Sequence, residues 1–117
     1  MAKLIAVHTM ALRPGVTREM YEQFIRDHKA EWKDLPGVTG YSSYCDRGER
    51  AGKIAGIYVF DDVATRDRYF PASGQMSTEA QAWFDSNADY FAKYREIATL
   101  PGDSEYAFSD YVVVAEV

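Results

Sequence analysis

The chain's clearest candidate for acid–base chemistry is His28, which lies in the stretch YEQFIRDHKAEW that begins at Tyr21. Tyr21, Phe24, Ile25, Trp32 and Leu35 recur at helical spacing, with Glu22, Arg26, Lys29 and Lys33 elsewhere around the helix. His28 falls inside the apolar stripe. A ring nitrogen buried there must find a hydrogen-bond partner or cost free energy. Imidazole ordinarily titrates at about 6.5, so a neutral ring facing a cavity accepts a proton at physiological pH. That suits a general base acting on a carbon acid beside a carbonyl. The plainer alternative is a satisfied core histidine that anchors its helix. Asp27 points about a hundred degrees away around the helix and is no orienting partner for the ring. Asp85 and Asp89, four apart on a helix, read as a solvated polar face.

Other chemistries find no foothold. The sequence has no Gly-rich phosphate loop and no nucleophile elbow, and His8, His28 and the lone Cys45 are too scattered for a metal. A single cysteine also excludes a disulfide framework. The net charge is −5 and the densest basic run, Arg47, Arg50 and Lys53, falls in a turn, so nucleic acid is not an expected partner. No segment is long and apolar enough for a membrane span or shaped like a signal peptide, so a cytoplasmic protein is expected. No cofactor is expected either. Nine tyrosines and two tryptophans among 117 residues exceed what a small core needs and suit a lined pocket or an interface.

The elements that position these residues can be read in order. Met1 to Ala11 is rich in alternating β-formers and ends at Arg13-Pro14-Gly15, a first strand closed by a turn. Thr17 is placed to cap a helix running to about Asp34 and stopped by Leu35-Pro36-Gly37, with Glu19 in its first turn. Val38–Cys45 and Ile54–Phe60 form a hairpin across DRGERAG. Asp61 or Asp62 caps a short helix ended by Pro71. Thr78-Glu79-Ala80-Gln81 has the pattern of a capping box that opens one longer helix carrying Ala80, Trp83, Phe84, Ala88, Phe91 and Tyr94, which ends near Leu100-Pro101-Gly102. A last strand spans roughly Phe108 to Glu116.

Each half therefore reads strand, helix, Leu-Pro-Gly, strand. The natural solution is one α+β domain over residues 1–117, a ferredoxin-like βαββαβ antiparallel sheet with its helices on one face. Leu4, Ala6 and Met10 fall on one side of the first strand and Ile5, Val7 and Ala11 on the other, so both faces are apolar. Helices cover one; the other is an association surface, expected to pair in a twofold homodimer.

The segment Leu35-Pro36-Gly37-Val38-Thr39-Gly40-Tyr41 after the His28 helix, with Phe60-Asp61-Asp62-Val63 and Arg68-Tyr69-Phe70-Pro71-Ala72 in the second half, resembles the EthD-like branch of the dimeric α+β barrel superfamily. The resemblance covers most of the chain. It implies a small-molecule cavity between helices and sheet, and a cofactor-independent enzyme acting on an aromatic polyketide, quinone or lactone as isomerase, dehydratase or monooxygenase. In the methylmuconolactone methylisomerase pattern the helix histidine and the tyrosine after Pro-Gly fall on His28 and Tyr41. These are the implied catalytic pair, a proton acceptor and a hydrogen-bond donor, with Trp32, Tyr58, Tyr69 and Trp83 lining the cavity. Tyr58 stands where that isomerase has a cysteine. The polyketide cyclase histidines fall at Ser73 and near Lys3, so cyclase catalysis is not carried over. The alternative function is a non-catalytic dimer that binds a hydrophobic metabolite.

Overall fold

A computed structural model describes residues 2–99 and 107–117. The order of elements is β1 (Leu4–Met10), α1 (Arg18–His28) with a 3-10 turn at Lys29–Glu31, β2 (Val38–Tyr44), β3 (Ile54–Phe60), α2 (Val63–Tyr69), α3 (Thr78–Ser86), α4 (Ala88–Arg95) and β4 (Ala107–Val112). The four strands form one antiparallel sheet in the order β2-β3-β1-β4. No helix among the described residues is long and apolar enough to cross a membrane.

Strand register sorts side chains into rows across the sheet. On one face, Val112, Leu4, Phe60 and Val38 make the first row, Asp110, Ala6, Tyr58 and Gly40 the second, and Phe108, His8, Gly56 and Ser42 the third; Met10, Ile54 and Tyr44 make the fourth. All four helices pack on this face, in two apolar clusters. One gathers Met10 and Ile54 with Tyr21, Tyr90, Tyr94 and Ala98; the other gathers Leu4, Ala6 and Phe60 with Leu35, Tyr69 and Ala80. A fully buried aliphatic such as Leu4 or Ile54 contributes about 2 kcal/mol to the fold. Among the described residues, no helix packs on the opposite face. Its central rows are Tyr111, Ile5, Val59 and Thr39, then Ser109, Val7, Ile57 and Tyr41.

Local chemistry explains most boundaries. The Thr17 hydroxyl accepts from the Met20 amide and the Asp62 carboxylate from the Thr65 amide, both as their positions predict. At α3 the cap is Ser77 rather than Thr78, its hydroxyl accepting from the Ala80 amide. The helix expected to run on from there is instead two, because Asn87 interrupts it. Asn87 is only 2% exposed, and its side-chain amide donates to the Trp83 and Lys33 carbonyls while its oxygen accepts from the Lys33 amide. An asparagine that satisfies backbone groups in this way competes with the helix ladder. Likewise α1 ends at His28, short of Asp34, in the 3-10 turn. The last strand ends at Val112, and Val114 beyond it is 96% exposed. The expected stop at Leu100-Pro101-Gly102 lies outside the described residues.

Gly37 fixes the entry into β2. Its φ is +80°, and a Cβ there would sit 2.9 Å from the Thr65 side-chain methyl of α2. Gly37→Ala is expected to cost about 2 kcal/mol from the left-handed conformation alone, read as a lower urea midpoint at unchanged slope.

Candidate functional site

The sequence candidates do not converge on one place. His28 closes α1, its ring 4.6 Å from that of Phe24, and its Nδ1 pairs with the Glu31 carboxylate. Lys93 of α4 donates to the other Glu31 oxygen at 2.7 Å. Lys93 first and His28 second hold that carboxyl below its usual range. The three residues clamp the end of α1 to α4. Tyr41 lies on the helix-free face, 56% exposed and opposite Ile57 in the register. The sheet separates it from His28.

The wall residues scatter in a similar way. Trp32 and Trp83 meet edge-on at 5.3 Å between helices, and the Trp83 indole N–H donates to the Lys33 carbonyl. Tyr69 is fully buried in the cluster around Leu4, and its hydroxyl donates to the Pro36 carbonyl at 2.6 Å. Of the four, Tyr58 alone stands directly against an imidazole, and that imidazole is His8.

His8 occupies the third row of the helix-covered face, between the two apolar clusters. Its ring stacks on Phe108 at 5.6 Å and meets Tyr58 edge-on at 5.4 Å. Two glycines make room for that contact. A Cβ on Gly56 would lie 3.3 Å from the Tyr58 ring and 3.4 Å from its hydroxyl, and one on Gly40 would lie 3.4 Å from the ring's other edge. The phenol therefore lies along the sheet toward the His8 row. From the helix side, the Tyr21 and Tyr94 hydroxyls meet at 3.3 Å. One imidazole and three phenols, the His8 seam, thus gather on the helix-covered side of the sheet.

Burial sets the protonation of this seam. Desolvation lowers the His8 pKa, with the nearby Asp110 carboxylate partly opposing it, so the ring is neutral at physiological pH. Asp110 is in turn paired with Arg66 of α2. Two of the phenols, and a third beside them, are pushed the other way. Desolvation raises Tyr21 and Tyr94, and Tyr90 beside them is pushed up to about 12. Phe108, on which the His8 ring stacks at the β4 margin, is 45% exposed. Neutral donors and a neutral acceptor in an apolar setting match an uncharged, oxygenated molecule rather than an ion.

The raised phenols have a measurable consequence. Between the ordinary tyrosine value of about 10 and their folded values, the unfolded chain releases protons that the folded protein keeps, so stability declines as pH rises through that window. A spectrophotometric titration of the nine tyrosines is expected to show an early, reversible group and a late group, Tyr21, Tyr69, Tyr90 and Tyr94, that ionises together with loss of the far-ultraviolet helix signal. A single early transition with the helices intact would contradict the burial of these hydroxyls.

Sequence parity marks His8. It shares its face with Leu4, Ala6 and Met10, a two-residue alternation visible without coordinates.

The fold is shared with a solved structure. The crystal structure of the NE2512 protein of unknown function from Nitrosomonas europaea is similar over 100% of this chain and 94% of its own, with a TM-score of 0.55 and 14% identity. An uncharacterized NIPSNAP-like domain protein from Burkholderia xenovorans aligns over 97% of this chain and 85% of its own, with a TM-score of 0.47 and 16% identity. No protein-family model and no curated protein matches the chain. At 14% identity the first likeness shows an α+β sheet fold. That fold is compatible with the dimeric α+β barrel superfamily and does not single out its EthD-like branch.

Proposed function

We propose that the protein binds a small, uncharged, oxygenated molecule with an apolar body, such as a quinone, aromatic polyketide or lactone, at the His8 seam and transfers a proton there. The single observation that carries this reading is the position of His8, a neutral imidazole edge-on to a phenol between two apolar clusters. His8 takes a proton from a carbon beside the substrate carbonyl. The electron pair moves onto the carbonyl oxygen, where the Tyr58 hydroxyl donates a hydrogen bond to the developing enolate. Returning the proton to a different carbon completes an isomerisation, and expelling a β-hydroxyl completes a dehydration. Neither route calls on a cofactor. The EthD-like resemblance of the Leu35–Tyr41 segment supports the same substrate class. His28, clamped by Glu31, and Tyr41, across the sheet, are assigned other tasks: the first holds α1 to α4, and the second joins a dimer interface.

That interface is the helix-free face, proposed to pair with a second copy of the chain. Ile5, Val7, Ile57 and Val59 form its centre and Tyr41 and Tyr111 its margins, the latter 59% exposed. An apolar face of this extent is normally covered.

The chain has two histidines, so imidazole NMR reads the site directly. Menadione, a neutral quinone, is expected to shift the His8 ring resonances saturably and leave those of His28 in place, with the response lost in His8→Gln. Shifts confined to His28, or none at either ring with menadione and with a neutral lactone, would overturn the assignment.

A further inference from the structure

On the proton-transfer reading of the His8 seam, on which this rests, we infer that Gly40 and Gly56 are positioning residues: they leave a slot in the sheet that lays the Tyr58 ring down and delivers its hydroxyl to the row of His8. Glycine inside a strand weakens it, having no side chain to pack and the most backbone freedom to lose. Both residues lie inside strands, Gly40 in β2 and Gly56 in β3. Neither is there for its backbone. Among the described residues the glycines with positive φ are Gly15, Gly37, Gly48, Gly52 and Gly74, all outside the strands. What Gly40 and Gly56 share is a neighbour: Gly40 is the cross-strand partner of Tyr58, and Gly56 precedes Tyr58 by two residues on the same face.

The two glycines divide the ring between them. A Cβ on Gly40 would lie 3.4 Å from Cδ1 and Cε1, at one edge, whereas a Cβ on Gly56 would lie 3.3 Å from Cε2 and 3.4 Å from the hydroxyl oxygen. Gly56 therefore sits under the reactive end of the phenol. It is also the residue paired with His8 across β1 and β3, and paired residues in an antiparallel sheet lie about 5 Å apart. The slot thus ends beside the imidazole and brings the hydrogen-bond donor to the carbonyl whose neighbouring carbon gives up its proton. A methyl on the buried Gly56 makes the hydroxyl end give way by a few tenths of an ångström. A methyl on the exposed Gly40 meets only ring carbons. Charge developing on the carbonyl oxygen is stabilised by a donor already in place, so the first substitution is the costlier one for catalysis.

Proton NMR reads the slot without substrate. Cross-relaxation peaks are expected from the Tyr58 ring to the α-protons of both glycines and to the His8 ring, and Gly56→Ala is expected to weaken the Tyr58–His8 peak with the far-ultraviolet spectrum unchanged. With a quinone or lactone that is turned over, Gly56→Ala is expected to lower kcat about tenfold at nearly constant KM, and Gly40→Ala to lower it less. In a Tyr58→Phe background, which keeps the ring and removes the hydroxyl, Gly56→Ala is expected to add little. Equal losses in the two backgrounds would show that the glycines act on packing and not through the hydroxyl, and would overturn the assignment. So would missing peaks between Tyr58 and the glycines, or an unaltered kcat in Gly56→Ala. Should Gly56→Ala not fold, Gly40→Ala carries the same comparison of backgrounds. Failure of the seam itself reads differently, as menadione leaving the His8 resonances in place while the ring-to-glycine peaks persist.

Discussion

Ile57→Asp is expected to abolish the proposed dimer and leave the protein monomeric at micromolar concentrations. Ile57 sits at the centre of the helix-free face, between Val7 on β1 and Tyr41 on β2. A twofold interface uses the same patch twice, so one substitution places two carboxylates in the dry contact. Each costs several kilocalories per mole when buried without a partner, which multiplies the dissociation constant roughly a thousandfold or more. The side chain points away from both apolar clusters, so circular dichroism and the tyrosine titration below the alkaline transition are expected to be unchanged. Light scattering that gives a monomer mass for the unaltered protein throughout the micromolar range would remove the dimer, and with it the role given to Tyr41.

The second large effect is catalytic. With a quinone or lactone that the NMR screen selects, His8→Ala is expected to lower turnover by roughly a hundredfold or more, the usual scale for a positioned general base. Tyr58→Phe is expected to cost less, since it removes one donor and keeps the ring. The pH profile adds a readout that a merely structural histidine would not move. Turnover rises with pH as His8 loses its proton, with a midpoint below the ordinary imidazole value because burial disfavours the charged ring. Asp110→Asn removes the charge that partly opposes this shift, and the midpoint is expected to fall further. Stability follows the same group. Below about pH 6.5 the unfolded chain takes up a proton at His8 that the folded protein resists, so the contribution is full above that pH and declines as the medium is acidified. Loss of stability in His8→Ala with unchanged activity per folded molecule would return His8 to the core.

What could be read from the sequence follows from the range of the interactions involved. The strands, their antiparallel order and the two-sided apolar pattern were legible because a period of two is a local property, as in Leu4, Ala6 and Met10. The caps at Thr17 and Asp62 were legible for the same reason, since the group each one satisfies lies three residues away. The break at Asn87 was not, because its main partner, Lys33, is remote in sequence, and the segment Thr78–Arg95 alone has an unbroken helical period. The candidate site fared less well. The His28 stripe is real, yet a stripe records burial and not which neighbour the ring meets, and Glu31 and Lys93 supply that neighbour. Tyr41 was chosen by its place after Leu-Pro-Gly, and parity along β2 puts it with Thr39 and Ser43, away from the helices. The same parity applied to β1 selects His8.

The Asn87 contact also changes what one loop amide can report. Lys33 belongs to no helix or strand, a setting in which backbone hydrogens ordinarily exchange with solvent early. Here its N–H is held by the Asn87 side chain at 3.0 Å, across 54 residues of sequence, while its carbonyl accepts from both Asn87 and Trp83. That hydrogen cannot leave until the α3–α4 junction lifts away from the first half of the chain. Its deuterium exchange is therefore governed by separation of the two halves and not by fraying of the loop around it, so one resonance outside all regular structure gauges whether the domain is closed.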